Sequence, residues 1–249
     1  MRIAVAGGTG VVGRRVVETL TEQGHEPVVL ARSLGIDVTT GAGLPDALAG
    51  ATAVIDVSNA ATLRRRTSVQ FFTNSSTNLL AAGERAGVRH HVALSIVGID
   101  RVDTGYYAGK RRQEDMVLAG PLPASVLRAT QFHEFAGQLL SRTPGRFAPV
   151  PQMLVQPVAA REVAAALVRL ATGEPAGRAP DLGGPEVHQL VDLARRLLEV
   201  RGEQRRVVPL RLPGAAARQM RLGGLLPGTR AQLGTQTFDE WLTETVTPG

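Results

Sequence analysis

The sequence predicts an α/β fold: a doubly wound parallel sheet with a smaller C-terminal lobe packed on the sheet edge. Three observations carry this prediction. Apolar runs that lack polar alternation recur between stretches of helical period, as strands covered on both faces require. The first of these runs, RIAVAG, leads directly into GGTGVVG and then an amphipathic helix pattern. Beyond about residue 142 the alternation stops, and Pro144, Pro149, Pro151 and Pro157 punctuate a stretch of little periodicity.

Taken in order, residues 2–7 read as a buried strand and 11–24 as a helix that ends at Gly24. EPVVLAR (26–32) is a strand, LPDALAG (44–50) a short helix and ATAVIDVSN (51–59) a strand. A long helix runs through FFTNSSTNLLAAGERAG (71–87), followed by the strand VRHHVALSIVG (88–98). YYAGKRRQEDMVLAG (106–120) reads as a helix and ASVLRATQF (124–132) as a further strand. This alternation is that of helices on both faces of one parallel sheet. Residues 1–143 therefore form the sheet domain, and 144–249 a lobe containing helices at 161–173 and 189–202, a Gly- and Arg-rich segment and a final TFDEWL. A ligand is expected at the carboxyl edge of such a sheet.

Composition narrows the function classes. The chain has 249 residues, 43% hydrophobic and 20% charged, which is globular and not disordered. It contains no cysteine, so disulfides, cysteine metal sites and thiol catalysis are excluded, and a reducing cytoplasm is a compatible setting. No run approaches the roughly 20 apolar residues of a membrane span. The net charge is +6, but the arginines are scattered from Arg2 to Arg230, and the tight run Arg64-Arg65-Arg66 lacks interleaved aromatics. The basic residues thus read as solvated faces and not as a nucleic-acid site. His90 and His91 are neighbours on a strand and point to opposite faces, a poor metal pair, so no metal is expected.

The chemistry begins at GGTGVVG, with Gly7, Gly8, Gly10 and Gly13. Glycines at this spacing allow a tight turn, close approach of the backbone to a pyrophosphate and tight helix–strand packing. The amides opening the next helix, at Val11, Val12 and Gly13, offer an anion the favourable end of the helix dipole, and Thr9 lies in the same loop. The motif follows a strand and precedes a helix, which is the context a dinucleotide site demands. The second strand ends in Arg32 and Ser33 and carries no carboxylate there. Arginine suits a ribose 2′-phosphate, so NADPH is expected over NADH.

TGYYAGKRRQE holds both tyrosines, and Lys110 is the only lysine among 28 basic residues. On a helix, residues four apart share a face, so Tyr106 and Lys110 are expected to point at one ligand, with Tyr107 nearby as a rival for the acid. A phenol near pKa 10 needs a neighbouring cation to exchange protons readily at neutral pH, and Lys110 would supply it. Ser95, at the end of a strand, is a candidate for hydrogen-bonding a substrate oxygen.

Together these pieces resemble the short-chain dehydrogenase/reductase superfamily with its Rossmann-like fold, and specifically its atypical, NmrA-like NAD(P)H-binding branch. The resemblance rests on the glycine motif, Ser95, and Tyr106 with Lys110 as YxxxK. It covers the first 135 residues well and the rest loosely. It implies that Asn59 of DVSNA lies beside the adenosine, that Thr130, Gln131 and Phe132 lie near the nicotinamide, and that Lys110 and Ser95 also touch the cofactor. It further implies transfer of hydride to a small, fairly apolar carbonyl or enone with tyrosine as proton donor, by a monomer or homodimer. The spacing from Ser95 to Tyr106 is shorter than is usual in the superfamily. Two alternatives share the fold: a sugar-nucleotide epimerase or dehydratase, and a non-catalytic NADP(H)-binding redox sensor.

Overall fold

The computed structural model describes residues 1–60 and 62–246. The chain divides into two compact units, one comprising residues 1–96, 104–128 and 160–180, the other 97–103, 129–159 and the segment from 181 onward. Residues 160–180 thus cluster with the N-terminal part of the chain.

In the first unit the strands are β1 (Arg2–Ala6), β2 (Glu26–Leu30), β3 (Ala53–Asp56), β4 (His90–Ile96) and β5 (Ala124–Ala129). The helices α1 (Val11–Glu22), α2 (Leu44–Leu48), α3 (Arg65–Arg85) and α4 (Gly105–Leu118) connect them. The strand order is β2-β1-β3-β4-β5, and the short strand Gly177–Arg178 adds to β5. Pairing is parallel with Ala6 opposite both Leu30 and Asp56, the doubly wound sheet that the sequence predicts. Because β1 connects outward to β2 while the chain later crosses back to β3, the loops after β1 and β3 diverge and open a crevice at the carboxyl edge.

The apolar strands are buried because both faces are covered. Ala4, Ala6 and Val54 pack with Leu44, Leu48, Leu79 and Leu80 of α2 and α3. The opposite face is covered by α1 and by the helix Ala160–Thr172, which lie side by side. Within α1, Val12, Val16 and Leu20 recur every four residues as a buried stripe. The close packing of α3 on α4 depends on Gly109, where a methyl group would crowd Phe72 at 2.7 Å.

The second unit contains the helices Phe135–Ser141, Leu190–Val200 and Phe238–Val246. Its strand Phe147–Pro151 pairs in parallel with Arg206–Leu210, a pairing that the proline-punctuated sequence did not suggest. Pro149 and Pro151 are accommodated because this small sheet has two strands, so each strand keeps an edge that needs no donor. Phe238 and Trp241 stack at 5.3 Å and enclose His133, which is 5.8 Å from Phe238 and 5.7 Å from Trp241. Among the described residues no helix is long and apolar enough to cross a membrane.

Candidate active site

The loop after β1 is built around what glycine permits. Gly7 adopts φ +80°, and a methyl group there would stand 2.8 Å from the Val57 carbonyl. A methyl group on Gly13 would overlap the Gly7 carbonyl oxygen and come within 2.7 Å of Gly8 Cα, so α1 rests directly on the loop. The first helical hydrogen bond is Arg14 N–H to the Gly10 carbonyl at 3.0 Å, which leaves the amides of Val11, Val12 and Gly13 in the open first turn. No side chain caps this end and no acidic residue occupies its first turn. Thr9 and Gly10 are exposed beside it. An open cleft of about 370 Å³ adjoins the loop, lined by Gly8, Thr9, Arg14, Val17, Glu18 and Val29. Uncapped amides on a loop with no room for side chains fit a pyrophosphate.

Arg32 and Ser33 follow β2 in a short 3-10 turn, both exposed. Arg32 lies close enough to Asp37 to help lower its pKa; the main causes are hydrogen bonds from the Thr39 hydroxyl and amide to that carboxylate. Asn59 follows β3 and is exposed.

Helix α4 starts at an N-cap where the Thr104 hydroxyl accepts from Tyr107 N–H at 3.2 Å, and this sets the register of the tyrosines and the lysine. The sequence expectation that Tyr106 and Lys110 converge on one ligand meets a different geometry. The Tyr106 hydroxyl donates to Asn59 Oδ1 at 2.7 Å. The Lys110 ammonium turns inward, donating to the Leu94 carbonyl and to Gln113 Oε1, each at 2.6 Å, and it lies 4.7 Å from the centre of the Phe72 ring. Burial pushes Lys110 down to about 8, against the pull of Asp56 and Glu114. Burial also raises both phenols: Tyr107 reaches about 12, and Tyr106 is pushed up further by Tyr107. The ammonium turns inward because Lys110, 4% exposed, sits in an interior already furnished with acceptors.

Ser95 is likewise buried, beside Glu114. The Glu114 carboxylate also takes Arg128 at 2.7 Å and pairs with Arg178. Burial would raise its pKa, but the hydrogen bonds from Arg128 and Arg178, with the Ser95 hydroxyl nearby, outweigh burial and lower it. In the second unit, Thr130 is occupied by structure: its amide donates to the Leu182 carbonyl at 2.9 Å and its hydroxyl to the Gln156 carbonyl at 2.5 Å. Gln131 differs, because both polar atoms of its side-chain amide are buried without a protein partner. Phe132 is half-buried and bridges in parallel to Val158.

The residues that sequence reasoning missed are Asp56, Gln113 and Glu114, all buried polar groups around Lys110. Their signal was present as an acidic end to an apolar strand and two polar residues one helical turn after the lysine.

No protein-family model matches the chain. A short-chain dehydrogenase/reductase superfamily protein from Agrobacterium tumefaciens, solved with bound NAD, has a similar fold, with a TM-score of 0.71 at 20% identity over 99% of this chain and 96% of that one. The (4-alkanoyl-5-oxo-2,5-dihydrofuran-3-yl)methyl phosphate reductase of Streptomyces griseus subsp. griseus is 31% identical over 234 residues, 86% of this chain and 78% of that protein. This chain belongs to the short-chain dehydrogenase/reductase superfamily of NAD(P)-dependent oxidoreductases. The Photosystem II assembly factor Ycf39 of Synechocystis sp. is 34% identical over 111 residues. That match spans 39% of this chain but only 34% of Ycf39, about a third of its length.

Proposed function

We propose that this chain is an NADPH-dependent reductase of the NmrA-like branch, acting on a small, fairly apolar carbonyl or enone. The observation that carries the reading is the similarity, along 86% of the chain, to a reductase. That relative's named substrate is a methyl phosphate whose 5-oxo-2,5-dihydrofuran ring carries an alkanoyl substituent; the ring and substituent form an enone, while the phosphate is a charged group outside the apolar part. The proposal places the pyrophosphate on the amides of Val11, Val12 and Gly13, the 2′-phosphate by Arg32 and Ser33, and the adenosine near Asn59.

When bound, the reduced nicotinamide supplies a hydride. The remaining chemistry belongs to the protein. Tyr106 is the proton source, and its burial keeps the phenol protonated throughout the neutral range. Delivery requires the hydroxyl to exchange Asn59 Oδ1 for the substrate oxygen, after which solvent restores its proton. Tyr107, three residues before Lys110 and also kept protonated, is the fallback donor.

The test is a titration comparing NADPH with NADH, followed by a panel of carbonyls and enones monitored by loss of reduced-nicotinamide absorbance. NADPH should bind more tightly and be oxidised, and Tyr106→Phe should lower turnover by about 10²–10⁴. Parental turnover in the doubly substituted Tyr106→Phe/Tyr107→Phe protein would overturn the proton assignment.

A further inference from the structure

Asp56, Gln113 and Lys110 are 0%, 1% and 4% exposed. Burying a carboxylate, an amide and an ammonium is costly unless every group is hydrogen-bonded. Here each is. Lys110 Nζ donates to Gln113 Oε1 at 2.6 Å and Gln113 Nε2 donates to Asp56 Oδ2 at 2.8 Å. An ammonium can only donate and a carboxylate only accept, so the amide between them has one allowed orientation. A hydrocarbon at position 113 could not bridge the pair, and a carboxylate there would face Asp56 with like charge.

One end of this tie is anchored in the interior and the other reaches a group used in the proposed reaction. At one end Lys110 is also held by the Leu94 carbonyl. At the other, Asp56 Oδ1 accepts Ser58 N–H at 2.9 Å, which shapes the turn carrying Asn59. Asn59 is the acceptor of the Tyr106 hydroxyl. A connected path of hydrogen bonds and backbone thus runs from the ammonium to the phenol, although the two side chains bond to different partners.

We propose that Asp56 and Gln113 are positioning residues: the Gln113 amide ties the Lys110 ammonium to the Asp56 carboxylate, and Asp56 sets the turn from which Asn59 aims the Tyr106 hydroxyl. The effect on catalysis rests on the reductase reading above, while the tie itself is tested separately. The charged or titratable groups acting on the assembly are Glu114 from α4 and, on Asp56, His91 from β4. Glu114 is itself paired with Arg128 from β5 and with Arg178. The ring of Phe72 from α3 faces the ammonium.

Lys110 is the only lysine, so protein grown on isotope-labelled lysine gives a single side-chain ammonium signal whose titration is read directly by NMR. In the parent it should titrate near 8. Gln113→Met, which removes an acceptor of the charged form, should lower the midpoint by about one pH unit, and Gln113→Glu, which adds negative charge, should raise it by about as much. Asp56→Asn should lower it, and combining Asp56→Asn with Gln113→Met should lower it by less than the sum of the two. In parallel, Gln113→Met should reduce kcat about tenfold and leave KM for NADPH within about twofold, because the pyrophosphate loop is untouched. A lysine midpoint that is unchanged in both Gln113 variants, or that moves the same way in both, overturns the tie. Opposite shifts with kcat unchanged refute the positioning role. Opposite shifts in a parent protein that oxidises NADPH with no carbonyl or enone uphold the tie and sink the reductase reading instead.

Discussion

Replacing Gly13 by alanine should loosen α1 from the loop that supports it. The added methyl group would overlap the Gly7 carbonyl oxygen and lie 2.7 Å from Gly8 Cα and 2.8 Å from the Gly7 carbonyl carbon. All three atoms are backbone, so no side chain can swing away and the helix itself must move. Overpacking of this kind costs about 1–3 kcal/mol. At this chain length each kcal/mol shifts the melting temperature by roughly 2–4 °C, so a fall of about 2–12 °C is expected. The displaced helix carries the first-turn amides with it, and NADPH affinity should weaken at least about tenfold, equivalent to about 1.4 kcal/mol. Gly10→Ala is the matched comparison: its nearest neighbour is the Gly7 carbonyl oxygen at 3.3 Å and its φ is −77°. That variant should melt close to the parent while losing nucleotide affinity, since its methyl group projects on the exposed side. Scanning calorimetry and isothermal titration would read both quantities. A Gly13→Ala protein with the parental melting temperature and NADPH affinity would refute the argument.

Three further outcomes follow from the same geometry. Glu114→Gln leaves the guanidiniums of Arg128 and Arg178 without their buried carboxylate and should cost about 3 kcal/mol in urea unfolding at neutral pH. Because hydrogen bonding lowers the folded-state pKa of Glu114, its contribution is full above the unfolded carboxyl pKa. It is lost as pH falls through the folded value, so the gap between parent and variant should narrow in acid. His91 is fully buried, and burial depresses its pKa. The unfolded imidazole takes up a proton below about pH 6.5 while the folded one resists, so stability should fall by up to about 1.4 kcal/mol per pH unit in that window. His91→Leu should flatten this slope, and an unchanged profile would exclude His91 as its source. Arg32→Ala should weaken NADPH binding about tenfold and leave NADH unchanged; equal losses for both nucleotides would remove Arg32 from the 2′-phosphate.

Much of the first unit was legible because its signals are local. The strands are continuous apolar runs, α1 carries its buried stripe at helical spacing, and the glycine loop lies between a strand and a helix, so neighbours in sequence sufficed to read the parallel sheet and the tight turn on which α1 rests. The paired strands Phe147–Pro151 and Arg206–Leu210 were not legible, since prolines mask strand character and the partners lie far apart in sequence.

The amino-acid order by itself determined the period of each element, the glycines that α1 must rest on, and the placing of Tyr106 and Lys110 four residues apart on α4. Only the tertiary structure decided where those two side chains point. Helical spacing sets a shared face, but one acceptor of the ammonium comes from β4, the other, Gln113 of α4 itself, is oriented by Asp56 of β3, and the acceptor for the phenol comes from the turn after β3. Those partners are brought together only when the sheet closes over α4, because a buried charge goes to whichever acceptors the fold supplies.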